Sequence, residues 1–268
     1  RALTLERFDG RRWSQSGYAD VPVAPQWSKA GAPLDYSIIM QPSGKRWLYA
    51  LDVGEMAQDS GRMMNDFRWQ RLRPVDRPLL YQVRSWPEAV RQAQAEPPGI
   101  RQALQLPQQG DPRSRAWAAE LKAQYPQSDA LVAAVLQHFN REPYVYTLRP
   151  QPLGSDSIDD FLFNTRRGFC EHYAGAFVFL MRAAGLPARV VTGYQGGERN
   201  EVDDYVVVRQ SDAHAWAEVW LEGEGWRRVD PTAAILPSRI ERGLADLPAG
   251  EPVPFVARVD LGWLRALR

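Results

Sequence analysis

Arg167-Gly168-Phe169-Cys170-Glu171-His172-Tyr173-Ala174-Gly175-Ala176-Phe177-Val178-Phe179-Leu180-Met181-Arg182-Ala183-Ala184-Gly185-Leu186-Pro187 holds the chain's one cysteine. From Cys170 the apolar positions Ala174, Phe177, Val178, Met181 and Ala184 recur at helical spacing, and Gly185 with Pro187 supplies a stop. Gly168 breaks what comes before, so the spacing predicts a mostly buried amphipathic helix that opens on Cys170. A lone cysteine is more often a small buried hydrophobe than a nucleophile. A helix N-terminus changes that balance, because its unpaired N–H groups and macrodipole favour a thiolate over a thiol. The same N–H groups can receive the oxyanion of a tetrahedral intermediate.

A thiolate nucleophile needs a proton carrier, and the histidines are His138, His172 and His214. His172 lies roughly 200° around the helix axis from Cys170 and faces away from it. His138 borders the apolar face of a helix predicted over Leu131 to Phe139, and a core or surface imidazole is its ordinary reading. His214 begins a strand in which Ala215, Ala217, Val219 and Leu221 make one face and His214, Trp216, Glu218 and Trp220 the other. Taken alone, that segment suits a hydrogen-bonded structural histidine as well as a base. Asp230 ends the next strand, Gly225 to Asp230, and would either orient the imidazole or serve the turn before Pro231. A hairpin loop of two or four residues in plain register would put His214 and Asp230 on opposite faces. A catalytic pair therefore requires an odd loop or a bulge, which Gly223 or Gly225 could supply.

Outward from this centre, residues 1–86 carry short alternating apolar runs, such as Tyr36-Ser37-Ile38-Ile39-Met40 and Leu80-Tyr81-Gln82-Val83, cut by turn-forming clusters. They read as a β-rich N-terminal domain. Residues 87–127 read as a helical connector, with Ser85 a candidate cap for a first helix and Asp111 or Ser114 opening a second from Ala116 to Tyr125. Ser128 or Asp129 would cap the Leu131 helix, and Asp156 or Ser157 a short one through Phe161 and Leu162. Strand-like segments follow the cysteine helix at Ala188 to Gly193, Tyr205 to Arg209, His214 to Leu221 and Trp226 to Asp230. A helix followed by an antiparallel sheet is an α+β order, assigned to residues 128–235. Residues 236–268 read as a C-terminal extension or tether.

Composition limits the function. Lys+Arg of 33 against Asp+Glu of 32 leaves a formal charge of +1, which implies no field for nucleic acid or anionic lipid. One cysteine leaves no intramolecular disulfide and no multi-cysteine zinc site. No run approaches the roughly 20 apolar residues of a membrane span. The chain opens on Arg1-Ala2-Leu3 rather than Met, as an excised soluble part of a longer protein would.

Four segments together resemble the bacterial transglutaminase-like superfamily: Arg167 to Ala174, Arg182 to Arg189, Asp212 to Val219, and Gly225-Trp226 through Val229-Asp230-Pro231-Thr232. The front of the chain, with Phe8-Asp9-Gly10-Arg11-Arg12-Trp13 and Tyr81-Gln82-Val83-Arg84-Ser85, resembles the extracytoplasmic part of TgpA-type inner-membrane proteins. The resemblance implies a papain-like α+β core and a Cys170–His214–Asp230 triad. It also implies a periplasmic domain held to a membrane by segments absent from this chain. Its expected substrate is a peptide or protein amide, with cell-envelope peptide a candidate, and no metal or cofactor is implied. Where eukaryotic transglutaminases use an upstream tryptophan for the oxyanion, this chain has Tyr144 and Tyr146. Trp216 is a further candidate for the cleft wall. Three activities share this outline: transfer of an acyl group from an amide to an amine, hydrolysis through the same thioester, and non-catalytic binding.

Overall fold

A computed structural model describes residues 1–17, 21–57, 60–94 and 97–235; the expected extension 236–268 lies outside the described residues. Cys170–Ala183 is a helix, and Tyr173 through Arg182 are all buried on it. One side lies on the strands Ala188–Tyr194 and Ala213–Leu221, and others meet the helix Pro112–Gln124 and the 3-10 turn Pro231–Ala234. With protein on several sides, the helix is apolar nearly all round rather than along one stripe. Its exception, Arg182, is 3% exposed and gives its N–H groups to carbonyls: Nε to Ala188 at 2.7 Å, and Nη1 to Glu6 and Gln105 at 2.8 Å each. Gly185, at φ +80°, lets the Leu186 N–H bond back to the Met181 carbonyl at 2.8 Å, which ends the helix.

The sheet beneath has six strands in the order Leu3–Leu5, Ala188–Tyr194, Ala213–Leu221, Gly225–Val229, Val90–Arg91, Trp27–Ser28. All neighbours are antiparallel except Val90–Arg91 on Gly225–Val229. Both outer strands come from the first 30 residues, so the N-terminal segment completes the sheet that carries the cysteine helix. The rest of that segment forms the short hairpin Arg7–Phe8/Trp13–Ser14 and two three-stranded sheets, Leu34–Met40/Leu79–Ser85/Gly54–Met56 and Trp47–Leu48/Trp69–Gln70/Arg62–Met63. A second apolar cluster, including Val53, Phe67, Val83 and Trp226, fills the space between them and the far side of the six-stranded sheet. On that side Glu218 is fully buried among the guanidinium groups of Arg1, Arg91 and Arg189.

Three local expectations are corrected. Ser85 caps no helix: it ends the strand Leu79–Ser85, its hydroxyl bonds the Tyr36 hydroxyl at 2.8 Å, and Val90–Arg91 joins the sheet. Pro97, Pro98 and Gly99 follow, a sequence that cannot sustain a helix. Among the described residues of 87–127, helix is confined to Gln102–Leu104 and Pro112–Gln124. The helix Ser128–Arg141 has Gln127 at its cap position, with no side-chain bond. Asp111 does stand at the cap of Pro112–Gln124, but its carboxylate accepts the N–H groups of Ile158 and Asp159, while Asp159 accepts those of Arg113 and Ser114. Each aspartate caps the other's helix, which ties 111–114 to 156–159.

Candidate active site

Cys170 is the first residue of its helix, preceded by the two-residue strand Arg167–Gly168 and by Phe169 in extended conformation. Gly168 is needed here, because a Cβ would lie 2.7 Å from the His172 side chain and 3.0 Å from Phe161. Arg167–Gly168 runs parallel to Val145–Tyr146, with Tyr146 opposite Gly168. That pairing brings the Tyr146 hydroxyl, itself buried, against the Cys170 backbone N–H and sulfur. Burial, then the neighbouring Cys170, raises the Tyr146 hydroxyl above the ordinary phenol range.

The hairpin that follows pairs Leu221 with Gly225 and Ala217 with Val229, leaving the three-residue loop Glu222, Gly223, Glu224. Gly223 and Gly225 take the positive φ values, +79° and +83°, that the turn requires. The odd loop puts His214 and Asp230 on one face, and His214 Nε2 lies 2.8 Å from Asp230 Oδ2. The other ring nitrogen, Nδ1, is left for Cys170, whose side chain hydrogen-bonds the imidazole. Asp230 also accepts the Thr232 N–H at 3.1 Å. Burial works against a charge on His214, but Asp230 and Cys170 outweigh it and hold the imidazole up to about 9. At Asp230 burial would raise the carboxyl, yet His214, Arg228 and Gln195 together keep it below its ordinary value.

Cys170, His214, Asp230 and Tyr146 therefore meet at one point. Tyr144 does not join them. It is fully buried, donates its hydroxyl to the Leu162 carbonyl at 2.9 Å, and has His138 Nε2 at 3.2 Å, so it packs helices together. Trp216 is buried as well, its ring 6.4 Å from the His214 ring and tilted by 20°, with the Arg228 guanidinium 4.2 Å above it. At 3% exposure it packs beside His214 and against Arg228 and presents almost no surface to solvent. His172 faces a separate cavity of about 950 Å³, bordered by Asp9, Arg11, Arg12 and Leu153, whose lining includes none of Cys170, His214 and Asp230.

Sequence reasoning missed Gln195 and Arg228. Arg228 Nη2 donates to Gln195 Oε1 at 2.6 Å, and the Gln195 side chain hydrogen-bonds Asp230. Strand alternation carried a signal for Arg228, which stands two residues before Asp230 and so shares its face. For Gln195, one residue past the strand Ala188–Tyr194, there was none.

A family model for the transglutaminase-like superfamily matches residues 115–231, and one for the TgpA N-terminal domain matches residues 1–92. A Pseudomonas aeruginosa protein-glutamine gamma-glutamyltransferase is 50% identical over 275 residues, which take in 100% of this chain and 41% of that protein. The chain thus spans about two fifths of that relative. The Bacillus subtilis protein YebA is 32% identical over 136 residues, 48% of this chain and 18% of its own length. The crystal structure of the periplasmic domain of TgpA from Pseudomonas aeruginosa, bound to ethylmercury, superposes with a TM-score of 0.84. It is 53% identical and covers 89% of this chain and 85% of its own.

Proposed function

Because the chain belongs to the transglutaminase-like superfamily, and within it to the TgpA-type proteins, we propose that it transfers the acyl group of a peptide glutamine carboxamide to an amine, through a thioester on Cys170. The observation that carries this reading is the convergence of Cys170, at a helix N-terminus, on a His214–Asp230 pair 2.8 Å apart. The Cys170 sulfur attacks the amide carbon, and the new oxyanion is received by the Cys170 N–H and the Tyr146 hydroxyl. His214, protonated and held by Asp230, gives its proton to the departing nitrogen as the C–N bond breaks, so ammonia leaves and the thioester remains. An amine then attacks the thioester and loses its proton to His214, and the C–S bond breaks to restore Cys170. Asp230 keeps the imidazole in one tautomer throughout.

By likeness to the TgpA periplasmic domain, we place the chain in the periplasm, attached to a membrane by segments outside it. The substrate is then a peptide or protein of the cell envelope. Incubation with a glutamine-containing peptide and a primary amine, followed by mass spectrometry, tests the reading. An amine adduct from the wild type and none from Cys170→Ala, with unchanged thermal unfolding, is the expected result. Formation of the free acid alone would make the chain a hydrolase. Full turnover by Cys170→Ala would remove the thioester mechanism.

A further inference from the structure

Asp230 faces two competing cationic partners, His214 and Arg228. An unshielded arginine beside a carboxylate forms the stronger, bidentate contact, which would draw Asp230 away from the imidazole. Gln195 interacts with both Arg228 and Asp230. A guanidinium only donates and a carboxylate only accepts, so the amide has one consistent orientation: its oxygen takes the Arg228 Nη2 bond at 2.6 Å, which leaves its NH2 group for Asp230, a carboxyl that Gln195 helps to hold below its ordinary value. The Gln195 backbone is fixed too, its N–H donating to the Asp212 carbonyl at 3.0 Å, two residues before His214. Arg228 is held on its other side by the Trp216 ring, 4.2 Å from the guanidinium carbon.

We propose that Gln195 is a positioning residue that insulates Asp230 from Arg228, occupying the guanidinium so that the carboxylate remains aimed at His214. The inference rests on the triad reading above. The titratable and charged groups facing the pair are Cys170 from the cysteine helix, Tyr146 from Val145–Tyr146, and Arg228 from Asp230's own strand. Among the groups packed around Asp230, Arg228 is therefore the cation that competes with His214. A variant without the amide frees Arg228 to capture Asp230, and His214 loses its anchor. Removing Arg228 as well takes the competitor away and gives the carboxylate back.

The test is the rate of Cys170 alkylation by iodoacetamide at pH 6 on the 268-residue chain, with thermal unfolding measured in parallel. Gln195→Met is expected to lower the rate roughly tenfold, about the weight of one hydrogen bond to a charged group. The double variant Gln195→Met/Arg228→Met is expected to recover most of the loss, which a merely structural role for Gln195 would not produce. Gln195→Leu substitutes for Gln195→Met if the latter does not fold. A single variant that reacts as the wild type does, or a double variant no faster than the single, overturns the proposal. Asp230→Asn separates the two readings. If it lowers the rate and Gln195→Met does not, only the insulating role falls; if it leaves the rate unchanged, the triad reading falls first.

Discussion

His214 is held protonated to about 9 by Asp230 and Cys170 in spite of its burial. Two consequences follow at the scale of the residue. In the proposed mechanism the imidazolium protonates the departing ammonia, so kcat/KM should fall as pH rises through about 9, and in Asp230→Ala that limb should move down toward the ordinary imidazole range. The same raised value contributes stability that is fully present below about 6.5 and is lost as pH rises through about 9; equilibrium unfolding of wild type and His214→Ala across that window would show it. Tyr146→Phe should lower turnover by roughly 10²-fold, as expected for one oxyanion donor, while Cys170 alkylation changes little. One cysteine and three histidines narrowed the candidates, but the residues read alone left His214 and Asp230 open, and their grouping with Cys170 was an expectation of the four-segment resemblance. Tyr144 and Tyr146 could not be told apart. Only the pairing of Tyr146 with Gly168, across a two-residue strand too short to show alternation, decides which hydroxyl meets Cys170.

The hairpin between His214 and Asp230 is the element on which the site depends. Sequence reasoning reached the requirement for an odd loop, because alternation makes facing a matter of parity, and the three-residue turn meets it. Its two glycines differ in what they tolerate. A Cβ on Gly225 would lie 2.0 Å from the Arg91 carbonyl oxygen, with φ at +83°, whereas a Cβ on Gly223 meets nothing within 4 Å. Gly223→Ala should cost about 1 kcal/mol in denaturant unfolding from backbone strain alone. Gly225→Ala should cost more than about 2 kcal/mol, because Val90–Arg91 must also be displaced from the sheet. Helices with clear apolar periodicity and stops, Ser128–Arg141 and Cys170–Ala183, were also readable. The stretch after Ser85 was misread since a two-residue strand at Val90–Arg91 has no periodicity of its own and is fixed by its distant partner Gly225.

Across the whole molecule, Glu218 joins arginines from three places in the chain, Arg1, Arg91 and Arg189, at the far side of the central sheet. Burial alone would raise its carboxyl, but the three guanidinium groups outweigh that and hold it far below the usual carboxylate range. This contribution to stability is present above the ordinary glutamate value and is lost as pH falls below it. Glu218→Gln should destabilise the fold by about 3–5 kcal/mol in denaturant titration at pH 7, because uncompensated buried cations remain. None of this long-range order was legible. Local pattern identified a strand from Ala188 to Gly193 but not Leu3–Leu5 or its place beside it, a pairing between distant stretches with no local signature. That pairing also protects the molecule from itself. Ala188–Tyr194, with Val190 and Val191 buried, would otherwise offer a bare row of amides and carbonyls to any strand that passed. Leu3–Leu5 covers Val190 to Thr192 of that row, and so guards the central sheet against growing by recruitment of a second chain.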